Sequence, residues 1–223
     1  VEGHFRLTKD GVGVCWHDVN TKNVSDRTLT VAESTFAELR ELDVGAWKGP
    51  RWRGQQMPTA AEVFAAVPPG KRVYVEIKSG PEIFPALKKA LAESKLQPRQ
   101  AVILAFDQEV VKESKRQLPQ HKVVWLKAIK KDKTSGQWKP TTDEILETLK
   151  QIGADGVSAA GAAAVIDADY VARIRRAGYI FQVGAVDDDA FAKGFLQSGV
   201  DSMTTNRPGW LQGKLKELIE KKP

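Results

Sequence analysis

Six side chains in this sequence have the types and spacing to act on a charged ester. Glu2 and His4 stand two residues apart in Val1-Glu2-Gly3-His4-Phe5-Arg6-Leu7, a run that reads as a β-strand. Alternation along a strand puts both on one side. Glu76 and Lys78 repeat that spacing in Val75-Glu76-Ile77-Lys78, and His17-Asp18 closes the alternating run Val12-Gly13-Val14-Cys15-Trp16. Gathered at one mouth, unpaired charges of this kind would be costly to bury. A divalent cation between Glu2 and Glu76, with Lys78 turned to an anionic substrate, removes that cost. Local salt bridges that satisfy each side chain remove it equally well, and the pattern alone leaves both accounts open.

The elements that must position these residues are short strands alternating with helices. Strands are expected at about Val1–Leu7, Arg72–Lys78, Ala101–Ala105, Lys122–Leu126, Gly156–Ala159, Tyr179–Val183 and Asp201–Thr204, each rich in Val, Ile or aromatics and bounded by Gly, Pro or Asp. Helices are expected at about Thr59–Val67, Pro81–Ser94, Gln108–Gln117, Thr142–Ile152, Asp167–Ala177, Asp187–Ser198 and Trp210–Lys221. Ile145, Leu149 and Ile152 share one helical face. Thr141 or Thr142, and Asp167, have the chemistry of N-caps, and Gly153 and Gly178 end helices where a left-handed residue is wanted.

Strand–helix alternation implies parallel strands with right-handed crossovers. Seven βα units can be counted, whereas a closed barrel of this type has eight. The expected fold is therefore α/β, a TIM (β/α)8-type barrel whose first βα unit is absent from this chain, with residues 1–223 forming one domain. A site in such a barrel lies at the C-terminal ends of the strands. By that geometry His121, on a loop before a strand, is incidental. Residues 18–57 interrupt the alternation and read as an insertion over one end of the barrel. Trp47 and Trp52, set among Lys48, Arg51 and Arg53, either pack that insertion down or offer a surface for phosphate and glycerol-like groups.

Composition narrows the partners. Of 223 residues, 42% are apolar and 28% charged, which fits a folded domain rather than a disordered chain. The net charge of +6 suits anionic partners. The lysines are scattered at helical spacing, however, and read as a solvated exterior rather than a nucleic-acid surface. Lys127, Lys130, Lys131 and Lys133 follow a strand and read as a solvated loop, with attraction of anionic substrates as the alternative. A single cysteine, Cys15, rules out an internal disulfide and a cysteine zinc motif. No apolar run reaches the roughly 20 residues of a membrane helix, and no signal peptide is visible. Compartment and oligomeric state are not fixed by these features.

The run Glu2-Gly3-His4-Phe5-Arg6-Leu7-Thr8-Lys9-Asp10-Gly11 followed by His17-Asp18 resembles the signature of the glycerophosphodiester phosphodiesterase family, which reads Glu-x-Asp, Leu-Thr-Lys-Asp-Gly and His-Asp. Met57-Pro58-Thr59 is similar to the family's Ile-Pro-Thr, and Val75-Glu76-Ile77-Lys78 to its Glu-Leu-Lys strand. Gly199-Val200-Asp201-Ser202-Met203-Thr204-Thr205-Asn206-Arg207-Pro208 is similar to its closing Gly-Val-Asp-Gly-Ile-Ile-Thr-Asp-Arg-Pro. The matches run in order along the whole chain. The resemblance implies a metal-dependent hydrolase that cuts glycerophosphodiesters to an alcohol and glycerol 3-phosphate. It implies Glu2 and Glu76 as ligands of magnesium or calcium, His17 as the general acid, and Lys78 as the group that steadies the phosphate. Asp18 either orients His17 or caps a turn.

Three departures qualify what the resemblance implies. The family's His-Arg pair belongs to the first barrel strand, the one expected to be absent from this chain. His4 stands where a second metal carboxylate is usual, and if it is a ligand the site shifts towards manganese or zinc. Gly184-Ala185 stands where the family has Trp-Thr, which predicts a wider pocket there. These departures keep two alternatives in play: a catalytically impaired barrel that binds phosphoester or phospholipid head groups, and a related phospholipase D-like phosphodiesterase.

Overall fold

The computed structural model describes residues 1–160 and 164–220. Lys221, the expected end of the last helix, lies outside them. The chain divides into two compact units, Val1–Lys122 and Val123–Pro223.

The first unit carries β1 (Glu2–Leu7), β2 (Gly13–Cys15), α1 (Phe36–Arg40), α2 (Ala60–Ala65), β3 (Val73–Ile77), α3 (Phe84–Glu93), β4 (Ala101–Ala105) and α4 (Gln108–Gln117). Its strands lie in the order β2-β1-β3-β4. The β1–β3 and β3–β4 pairs are parallel, while β1 and β2 form an antiparallel hairpin. Phe5 is fully buried, and its ring packs 5.4 Å from that of Phe64 on α2. That contact assigns the Gly3–Phe5 side of β1 to the helix layer, and leaves Glu2, His4 and Arg6 for the other side. Burying one such aromatic is worth about 2–3 kcal/mol. Thr59 and Glu62 form a capping box at the start of α2, and Asp107 caps α4 through the amides of Glu109 and Val110. His121 is buried, with Nδ1 3.0 Å from the Ala101 carbonyl oxygen, so it fastens a loop to β4.

The insertion builds its own small core from Val31, Leu39, Leu42 and Met57 packed on Val14 of β2. Arg40 of α1 reaches both oxygens of Glu62 on α2 at 2.8 Å and the Met57 carbonyl at 2.9 Å. Of the two readings of Trp47 and Trp52, the one in which they pack the insertion down does not hold. Trp47 is 62% exposed and Trp52 37% exposed. The Asp43 carboxylate accepts hydrogen bonds from the amides of Gly45, Ala46 and Gly54, which closes this loop on itself and turns both rings outward. Lys48 and Arg51 stack over the Trp52 ring at 5.3 and 4.6 Å.

The second unit carries β5 (Lys122–Ala128), β6 (Lys130–Lys131), β7 (Trp138–Lys139), α5 (Thr142–Ile152), β8 (Gly156–Ala160), α6 (Ala168–Arg176), β9 (Ile180–Gly184), α7 (Asp189–Ser198), β10 (Ser202–Met203) and α8 (Pro208–Glu220). Here β5, β8, β9 and β10 are neighbours in that order, all parallel. Asp155 and Asp201 stand just before β8 and β10, and their carboxylates accept from the amides of Val123 and Phe181. Each thus fixes the start of the adjacent strand.

All seven expected strands are present, with ends displaced by at most two residues. The helix cap at Thr141 or Thr142 is Thr141, because its hydroxyl faces the Glu144 amide. The expected loop of lysines is in part a hairpin, with Lys130 paired to Lys139 and Lys131 to Trp138. Its side chains are almost all exposed, so no alternating pattern marked it. At Gly184, where the sequence predicts a wider pocket, Thr204 stands close against the backbone. A Cβ added there would lie 2.9 Å from Cβ of Thr204, so the threonine already takes that space.

Candidate active site

β1 and β3 run side by side with His4 opposite Glu76 and Glu2 opposite Tyr74. With the helix layer holding Phe5, the alternation of both strands presents Glu2, His4, Glu76 and, one residue past β3, Lys78 on a common side. His4 Nε2 lies 3.1 Å from Glu76 Oε2 and 3.5 Å from Glu2 Oε1. Lys78 Nζ lies 2.6 Å from Glu76 Oε1, a close ion pair. Glu76 is the buried member, 3% exposed. Lys78 also sits 5.6 Å over the Phe106 ring.

The β1–β2 hairpin folds His17 back onto this cluster. Trp16 donates its amide to the His4 carbonyl at 2.6 Å, and the His4 and His17 rings meet edge to face at 4.6 Å. His17 Nδ1 lies 2.7 Å from Asp18 Oδ1, and Asn23 donates to the other Asp18 oxygen at 3.2 Å. Of the two roles open to Asp18, the geometry is that of an orienting partner. Arg6, next on the Glu2–His4 side, donates from Nε to the His17 carbonyl at 3.0 Å and from Nη1 to the Lys78 carbonyl at 3.1 Å. Sequence reading did not single out Arg6. The signal was the unbroken alternation Glu2, His4, Arg6.

The electrostatics follow from these contacts. Glu2, then Glu76, hold the His4 imidazolium, and its pKa is pushed up to about 9. Burial pushes the Glu76 carboxyl up, but contacts with His4 and Lys78 outweigh it and leave the group below the ordinary carboxylate value. The Asp18 carboxyl is held low by His17 first and by Asn23 next.

Among the described residues, Glu2, His4 and Glu76 form the one group that could hold a metal ion, their ligand atoms all within 4.8 Å of one another. The donor set of two carboxylates and an imidazole suits a cation that accepts nitrogen as well as oxygen. His4 faces both carboxylates rather than turning away from them.

Comparisons with known proteins bear on the family and fold of the chain. The profile of the glycerophosphoryl diester phosphodiesterase family matches residues 1–210. A glycerophosphodiester phosphodiesterase of Bacillus subtilis is 26% identical over 225 residues, spanning 93% of this chain and 73% of that protein. One from Caldanaerobacter subterraneus is 30% identical over 130 residues, spanning 55% of this chain and 52% of that protein. In fold, the chain is similar to an Oleispira antarctica phosphodiesterase solved with the product sn-glycerol-3-phosphate, with a TM-score of 0.82 at 21% identity over 97% of this chain and 84% of that one. A second solved structure, from Silicibacter pomeroyi and named as a glycerophosphoryl diester phosphodiesterase, gives 0.81 at 21% identity over 97% and 83%. The α/β fold expected from the sequence is thus the fold of solved phosphodiesterases, and the chain belongs to the glycerophosphoryl diester phosphodiesterase family.

Proposed function

We propose that this chain, acting as one barrel domain over residues 1–223, hydrolyses glycerophosphodiesters to an alcohol and glycerol 3-phosphate with the help of a divalent metal ion. The observation that carries the reading is the convergence of Glu2, His4 and Glu76, with ligand atoms within 4.8 Å, beside Lys78 and the His17 ring. Glu2 and Glu76, joined by His4, are the residues that would hold the cation. When bound, it neutralises charge on the phosphate and polarises phosphorus for attack by water.

The remaining work falls to the chain's own groups. Lys78 carries a positive charge beside the phosphate site and offsets the non-bridging oxygens. His17 has Nδ1 committed to Asp18, so Nε2 is the atom free to hand a proton to the departing alkoxide as the bond from phosphorus to the alcohol oxygen breaks. The water that bonds to phosphorus sheds a proton to solvent, from which His17 regains the one it gave, so the outcome is one water consumed, one P–O bond exchanged and one alcohol released.

The test is turnover of glycerophosphocholine, read as glycerol 3-phosphate formed, before and after chelation and after return of magnesium, calcium, manganese or zinc. Activity that chelation abolishes and one of these ions restores supports the reading, whereas chelator-resistant turnover removes the metal from it. A second reading, binding of phosphoesters without turnover, is favoured by the contact of His4 with both carboxylates, which fills with an imidazolium the place where a cation would sit. Saturable binding of glycerophosphocholine with no product under any of the four ions would select it.

A further inference from the structure

We propose that Arg6 is a positioning residue that ties the His17 segment to the fixed end of β3, and so sets where the acid stands relative to Lys78. The inference rests on the reading of His17 as the group that protonates the leaving alcohol. Arg6 belongs to β1, and its guanidinium bridges two backbone segments that lie far apart in sequence: Nε to the His17 carbonyl at 3.0 Å, and Nη1 to the Lys78 carbonyl at 3.1 Å.

The two ends of this bridge are held differently. Lys78 continues the β1–β3 ladder, its amide donating to the Phe5 carbonyl at 2.9 Å. It therefore serves as the anchor. His17 lies beyond the end of β2, and its side chain is 62% exposed. A planar guanidinium offers two donors at a fixed angle, which an ammonium on a flexible stem cannot reproduce. Arg6 is partly buried, with burial lowering its pKa and with Asp18 and Glu76 acting the other way. Both acids belong to the cluster it frames. Removing the fork leaves Lys78 in its ladder and releases the His17 carbonyl. The displacement falls on proton delivery rather than on phosphate binding.

Leaving-group chemistry separates these two effects. An alkoxide needs a proton as it departs, whereas p-nitrophenolate does not. The experiment compares wild type, Arg6→Met, Arg6→Lys and His17→Ala on glycerophosphocholine and on the p-nitrophenyl ester of glycerol 3-phosphate. A misplacement of about 1 Å at a catalytic group can cost about 10²-fold. On that scale, Arg6→Met should lower kcat on glycerophosphocholine by about 10- to 100-fold, with KM and the nitrophenyl rate changed by no more than about 3-fold. Arg6→Lys should fall between, and His17→Ala should show the same selectivity at larger amplitude.

Equal loss on both substrates in Arg6→Met and Arg6→Lys, or no loss in either, overturns the proposal. If Arg6→Met fails to fold, the ratio of the two rates in Arg6→Lys decides the matter by the same criterion. If His17→Ala discriminates between the substrates and the Arg6 variants do not, Arg6 alone loses its role. If His17→Ala does not discriminate, the assignment of His17 falls and the inference falls with it.

Discussion

On the proposed reading, a cation held by Glu2, His4 and Glu76 would have to displace a proton. The His4 pKa is pushed up to about 9 by Glu2 and Glu76, and an imidazole ligates only in its neutral form. At pH 7 the group lies about two units below its midpoint, so roughly one molecule in a hundred presents a neutral imidazole. Apparent affinity for manganese or zinc should therefore rise about tenfold per pH unit between pH 6 and 8, and flatten as pH passes 9. Near pH 7, each ion bound should release close to one proton. Isothermal calorimetry of manganese binding in two buffers of different ionisation enthalpy measures that proton directly. His4→Gln should abolish the release and the pH slope together. Binding that is flat with pH and releases no proton in the wild type would show that His4 is outside the ion's ligand set. The same shift sets a stability trend in the metal-free protein. Because the folded pKa is the raised one, the contacts of His4 with Glu2 and Glu76 contribute fully below pH 6.5 and are lost as pH rises through about 9.

His17→Ala should lower glycerophosphocholine turnover by about 10²–10⁴-fold with the circular dichroism spectrum unchanged, as for a positioned general acid. His4→Asp should strengthen magnesium binding and raise magnesium-dependent activity, read by calorimetry with magnesium, calcium, manganese and zinc. Unchanged affinity for all four would place residue 4 away from the ion. Phe64→Ala, which empties the space against Phe5, should cost about 3–5 kcal/mol in urea unfolding, and a loss under about 1 kcal/mol would mean that the β1–α2 contact is not part of the stabilising core. Glu62, held at about 2 chiefly by Arg40, contributes stability above its ordinary value of 4.5, and that contribution fades as pH falls from there towards 2. Arg40→Met should therefore flatten the acid limb of a thermal-melt series between pH 5 and 2.5, and an unaltered limb would assign the acid loss to other carboxylates.

The parts of the fold legible in the sequence were those written in periodicity. Seven β-rich runs and the Thr and Asp caps follow from local chemistry, and so does the common side of Glu2 and His4. The register that sets His4 beside Glu76 depends on how β1 and β3 align, which no local pattern encodes. Arg6 escaped notice because its partners are backbone carbonyls, and a carbonyl leaves no residue-type signature. The hairpin at Lys130–Lys131 and Trp138–Lys139 buries almost nothing, so it lacks the apolar alternation that reveals a strand. Trp47 and Trp52 misled for the opposite reason: they are large apolar residues that the Asp43-anchored loop turns outward.

A histidine at position 4, in place of the carboxylate that the resemblance implies, bears on how the cluster balances its charge and, on the proposed reading, on which ions it would prefer. With a carboxylate there, Glu2, Glu76 and residue 4 would place three negative groups within reach of one another against the charge of Lys78, with the Arg6 guanidinium acting on Glu76 as well. Such a site is unstable when empty, because like charges at this spacing raise one another's pKa or drive the side chains apart. A dication would then be needed to hold the strands' polar face together. With His4, the imidazolium and Lys78 match the two glutamates, and the contacts at 3.1, 3.5 and 2.6 Å form a balanced set without an ion. On the proposed reading, order in the metal-free cluster would come at the expense of metal affinity, since an ion would have to compete with a proton that the same carboxylates stabilise. That trade makes one comparison decisive. His4→Asp should bind magnesium more tightly yet melt at a lower temperature than the wild type in chelator, with the order reversing as magnesium is added. If His4→Asp is as stable as the wild type in chelator, the imidazolium is not what neutralises the pair of glutamates, and the pKa of about 9 is not expressed as folding stability.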